Sequence, residues 1–153
     1  MNRSLALALG AMALACAAAA GAFGIRVQVI GGTLSELPAK AEIRLNLDDP
    51  ETLLVDRAHT ELRIPYRRIT TLEYGQTVSR RYAEAVLISP MLLLAKQHKH
   101  FVTLGFDDEK GDRQALVFRV EKGDIRALLA SLEARSGRRV EFQDEEARKA
   151  ISR

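Results

Sequence analysis

The chain has 153 residues, of which 47% are hydrophobic and 28% charged, with a formal charge of +3. That length suits one domain with a core large enough to fold unaided. One cysteine, ten glycines and four prolines exclude an internal disulfide scaffold, a collagen-like repeat and a low-complexity disordered chain, and +3 is too small a charge to indicate a nucleic-acid protein.

The first 22 residues differ from the rest. Arg3 is a short basic region, Leu5 to Ala15 is an apolar run interrupted only by Gly10, and Ala17 to Ala22 are all small. Positive, then apolar, then small is the order of a secretory signal peptide, which lies outside the fold. Ala18-Ala19-Ala20 and Ala20-Gly21-Ala22 both fit a small-x-small cleavage site. Two alternatives stand beside cleavage. Ala13-Leu14-Ala15-Cys16 looks like a degenerate lipobox, which would make Cys16 a lipidation site. Residues 5–22 are also about long enough to stay as an uncleaved membrane anchor. Each reading places the remaining chain outside the cytoplasm, in the periplasm or cell envelope or secreted.

Short period-2 runs follow. Ile25, Val27 and Val29 alternate with polar residues before Gly31-Gly32, which reads as a turn. Ile43, Leu45 and Leu47 alternate before Asp48-Asp49-Pro50, and Leu62, Ile64 and Tyr66 form a third run. Leu116, Phe118 and Val120 form a fourth, with residues 52–56, 69–78 and 101–106 as further strands. Successive strand side chains point to opposite faces, so such runs bury one face and wet the other. Asp107 to Asp112 reads as a hairpin loop. Ile125, Leu128, Leu129 and Leu132 then take helical spacing, with Asp124 as the expected N-cap, Gly137 as the C-cap and Arg135 in the last turn. After residues 140–142, Asp144 starts a short exposed helix or tail over 144–153. Strands in antiparallel succession, then one amphipathic helix, predict a mainly β, α+β architecture: a small barrel or sandwich plugged at one end by a helix.

That order resembles the pleckstrin-homology-like superfold, including its bacterial and GRAM-type relatives. Ile64-Pro-Tyr-Arg-Arg-Ile69-Thr-Thr-Leu-Glu-Tyr74-Gly75 looks like its strand-to-strand passage. Residues 99–104 and 123–137 look like segments of exported, uncharacterised bacterial members. The resemblance covers about residues 40–143 within a domain of 23–143, and implies a binding or scaffold role, not a reaction. The basic first hairpin loop of phosphoinositide-binding members is not evident, and Asp48-Asp49 at an early turn argues against inositol phosphates.

Residues 63–100 hold seven basic and two acidic side chains, whereas 23–62 hold four and seven, and 101–153 hold eleven of each. Arg67, Arg68, Arg80, Arg81, Lys96 and Lys99 are therefore the candidate surface for an acidic partner or anionic lipid, set against an ordinary solvated face. His98 and His100 would share a strand face, but a zinc site needs three or four protein ligands, and nothing in the spacing requires His59, Asp107 or Asp108 to complete one. Asp107-Asp108-Glu109-Lys110-Gly111-Asp112 lacks the alternation of an EF-hand loop and reads as a solvated turn. No G-x-S-x-G, H-E-x-x-H or glycine-rich phosphate loop occurs, so no cofactor, metal site or catalytic residue is assigned. Residues 85–95, broken by Ser89-Pro90, are too short to span a membrane. They read either as core or as an apolar wedge between Arg80-Arg81 and Lys96, Lys99. The expected function is a non-enzymatic, exported module binding a protein or peptide. A membrane-surface or lipid-binding module using residues 85–100 is the alternative, and a hydrolase or metal-dependent enzyme the third.

Overall fold

The computed structural model describes residues 24–77, 99–143 and 145–152. The proposed signal segment with Cys16, and Arg80, Arg81, Ser89-Pro90 and Lys96, lie outside these residues. In chain order the elements are β1 (Gly24–Gly32), β2 (Glu42–Asn46), β3 (Thr52–Arg57), β4 (Thr60–Pro65), a 3-10 turn (Tyr66–Arg68), β5 (Ile69–Gly75), β6 (His100–Asp107), β7 (Arg113–Val120), α1 (Ile125–Ser136), β8 (Glu141–Phe142) and α2 (Glu145–Ser152).

All eight strands belong to one sheet in the order β4-β3-β2-β1-β7-β6-β5-β8. The first seven pair antiparallel, and β8 runs parallel to β5. The sheet therefore ends at β4 and β8, and does not close into the barrel that the run of strands predicts. Closure would require β4 to pair with the opposite edge, β8 or the part of β5 that β8 leaves uncovered, and β4 pairs only with β3 among the described strands.

The period-2 residues do face the core. Val27, Val29, Ile43, Leu45, Leu53, Val55, Ile64, Leu72, Leu104, Leu116 and Phe118 belong to one buried cluster. Phe101 to Phe106 and Ala115 to Phe118 are buried on both faces, as expected for central strands that read as unbroken apolar runs. Ile125, Leu128, Leu129 and Leu132 bring the stripe of α1 into the same cluster, where the helix packs against the 3-10 turn and β5.

Several local expectations are corrected. Gly31-Gly32 is not a turn: β1 continues through it against β7 with a register shift between Val29 and Gly31, and the extra residue, Ile30, is buried. A bulge of this kind bends a strand without ending it. Gly32 is required there because a Cβ would stand 2.8 Å from the Ala115 carbonyl oxygen. Asp124 precedes α1 but makes no capping bond through its side chain, and a tight turn ties its N–H to the Glu121 carbonyl instead. Gly137 closes the helix in the left-handed region at φ 67°, its N–H bonding the Glu133 carbonyl. Tyr66 leaves the strand pattern for the 3-10 turn yet stays buried. Asp48-Asp49 lies between β2 and β3, so the first hairpin loop is residues 33–41. α2 is mostly exposed, but Ala147 is wholly buried and Ile151 packs on the core.

Candidate functional site

The break in the sheet produces the first site. Between β4 and the end of β6 lies a groove of about 320 Å³, lined by Glu61 to Pro65, by Arg68 and by Phe106 to Glu109. The β4 ladder has a definite phase. Tyr66 N–H donates to the Glu51 carbonyl at 2.9 Å, and β4 pairs β3 in the same register. In an antiparallel pair the bonded residues alternate, so Thr60, Leu62 and Ile64 turn their backbone groups to β3. Glu61, Arg63 and Pro65 turn theirs outward, toward no described strand. The free edge thus offers two N–H donors, on Glu61 and Arg63, and three carbonyls. It is also guarded: Pro65 has no N–H, and Glu61 and Arg63 form an exposed ion pair at 2.6 Å. Short edges carrying charge and proline resist indiscriminate strand pairing.

The β6–β7 hairpin forms the far rim of the groove. Asp108 accepts hydrogen bonds from the N–H groups of Lys110 and Asp112 and from the Gln114 amide at 2.8–2.9 Å. These bonds, led by that from Gln114, hold its carboxyl below the usual range. Its oxygens are thus spent on shaping the loop, and Asp107 and Glu109 are left on the rim.

The basic residues singled out in the sequence separate. Arg67 and Arg68 lie on the 3-10 turn before β5, and Arg68 faces the groove. Lys99 precedes β6, where Phe101 pairs with Gly75 at the other end of β5. With Ile69 opposite Phe106, the length of β5 stands between them, about 20 Å at 3.4 Å per residue. His59 sits in the β3–β4 turn, with β2, β1 and β7 between β3 and the strand of His100, and His98 lies outside the described residues. Among the described residues no three His, Cys, Asp or Glu side chains are grouped to hold a metal ion, and no helix is long and apolar enough to cross a membrane.

Two aromatic contacts went unread in the sequence. Tyr66 is buried with its hydroxyl unpartnered among the described residues, and the Arg135 guanidinium stands 5.6 Å above its ring. Burial pushes the phenol above its ordinary pKa, partly offset by Arg135. Arg135 Nη1 also donates to the Asp49 carbonyl at 2.7 Å, so it ties α1 to the β2–β3 turn as well as complementing the helix dipole. The buried Tyr74 hydroxyl meets His100 Nδ1 at 2.5 Å, and Phe142 of β8 packs edge-on against the same ring. Burial, then Lys122, lowers the pKa of His100. A depressed folded pKa favours the neutral ring, so this contribution to stability is present above the unfolded value of about 6.5 and is lost as pH falls through the folded one. Urea midpoints are expected to fall between pH 7.5 and pH 5, and to fall less in His100→Gln. An equal fall in both proteins would exclude His100 as a source.

No protein-family model matches the chain, and no curated protein matches its sequence.

Proposed function

We propose that the chain is a non-enzymatic, exported interaction module of pleckstrin-homology-like architecture that binds an extended peptide segment of a partner protein. The architectural part is supported by the antiparallel order β4-β3-β2-β1-β7-β6-β5 followed by a helix packed on the core. Fold alone does not specify function. The observation that carries the peptide reading is the outward backbone of Glu61 and Arg63 beside the groove. A strand laid there would bond the sheet edge and set alternate side chains between Arg68 and the Asp107–Glu109 rim, the arrangement of strand addition. Three carbonyls and two N–H groups limit the match to a few residues. The membrane-surface alternative rests on residues 85–100, of which only Lys99 and His100 are among the described residues.

Arg63→Pro tests the reading, because it removes an outward N–H without touching the β3 ladder, a position where proline is tolerated. Peptides selected from a displayed random library on the wild-type chain are expected to bind this variant at least about tenfold more weakly, the worth of roughly 1.4 kcal/mol. Its melting midpoint should move little. Hydrogen exchange at the Glu61 and Arg63 amides should slow when peptide is bound. Equal binding by Arg63→Pro, or unprotected amides in the complex, would refute it.

A further inference from the structure

A second concavity, larger than the groove beside β4, lies where β6 begins and plays no part in the peptide reading. It is a cleft of about 690 Å³ where the start of β6, the β7–α1 turn and α2 meet. Lys122, Arg126 and Lys149 line it, with Glu146 as the one carboxylate among the described lining residues. The ion pairs among the described residues are Glu61–Arg63 and Glu145–Arg148, so no described carboxylate neutralises any of the three cations at close range. Ile125 and Ile151 give the cleft an apolar floor. His100 forms a further wall, and with Nδ1 engaged by Tyr74 its Nε2 is the nitrogen left to face a ligand.

We propose that this cleft binds a phosphate-bearing anion with a small apolar part, as a soluble phosphate ester or a phospholipid headgroup. Three cations line one cleft, and an anion among them would gain charge-assisted hydrogen bonds from each side. Arg126 can take two phosphate oxygens at once, whereas Lys122 and Lys149 act as mobile point charges. The volume exceeds what a bare phosphate fills, and the apolar floor suits the carbon chain of an ester. Because the three cations are exposed, binding should weaken with added salt.

The test uses the full chain in two arms. In the first, inorganic phosphate and glycerol 3-phosphate are titrated while NMR follows the backbone and the His100 ring. Saturable shifts are expected at Lys122 to Arg126 and at His100, whose pKa should rise as the ligand offsets Lys122. Arg126→Glu and Lys149→Glu, both on exposed faces, should weaken binding at least about fivefold, the range of one charge-assisted contact. Arg63→Pro, in the groove beside β4, should leave it unchanged. In the second arm, vesicles of phosphatidylcholine with or without phosphatidylglycerol are floated with wild type and with the Arg126→Glu/Lys149→Glu protein. Selective retention on the anionic vesicles that the double variant loses, with little response to the soluble esters, would assign the headgroup. The reverse would assign a soluble ester. If neither binding depends on these residues, the proposal is wrong.

Discussion

Leu128→Asp is expected to abolish cooperative unfolding. Leu128 has no exposed surface and sits on the stripe that α1 presses into the common core. A carboxylate there has no described partner, and burying an unpaired polar or charged group costs several kcal/mol. A domain of this size is stable by only about 5–15 kcal/mol. The same result is expected for Leu132→Asp, since Leu132 is equally buried. Ala130→Asp, on the exposed face of the same helix, separates burial from helix propensity and should shift the melting midpoint by no more than a few degrees. Thermal melts and near-ultraviolet circular dichroism read the difference. An unchanged midpoint in Leu128→Asp would mean that the stripe faces solvent in solution.

That helix was legible in the sequence because its signal is dense: four apolar residues at helical spacing and a glycine at the stop. The strands were legible for the same reason, since Ile25-Val27-Val29 and Ile43-Leu45 alternate without exception. Gly31-Gly32 misled because paired glycines mark turns and bulges alike, and only the pairing with β7 separates the two. The open edge at β4 was not legible, as closure depends on whether β4 meets the opposite edge of the sheet. The phase of the free edge was equally hidden, because it depends on one bond from Tyr66 to Glu51.

The cationic cleft shows a different kind of silence. Lys122, Arg126 and Lys149 belong to the part of the chain whose charges cancel, eleven basic against eleven acidic over residues 101–153. A regional count points to the middle of the chain instead, and there Arg67 and Arg68 stand far from Lys99. The cations of the cleft come from a turn and two helices, so the fold brings together what a window average dilutes. His100 could have been found from its position at the start of a strand, but not its contact with Tyr74, which lies 26 residues earlier.

Ala147→Arg should dismantle the cleft while sparing the main sheet. Ala147 has no exposed surface, although its neighbours Glu146 and Arg148 are exposed, so α2 is seated through this one small side chain together with Ile151. A guanidinium cannot be buried there without a partner, and the cheaper outcome is release of the helix. Among the described residues, the segment before it is held by two paired positions of β8, Glu73 with Glu141 and Tyr74 with Phe142, and by Gln143, whose N–H donates to the Tyr74 carbonyl at 3.1 Å and whose Oε1 accepts from Thr77 Oγ1 at 3.3 Å. A free helix of eight residues is not stable in water, so α2 should unwind once undocked. The expected loss is on the order of 1–3 kcal/mol, the usual size for a single damaging substitution. Hydrogen exchange should speed up at Gln143 and through residues 145–152, while the amides of β6 and β7 stay protected. Phosphate binding should disappear with the wall that carries Lys149, and peptide binding at β4 should persist. If Gln143 remains protected and phosphate still binds, then α2 is not held by Ala147 and the cleft does not depend on its docking.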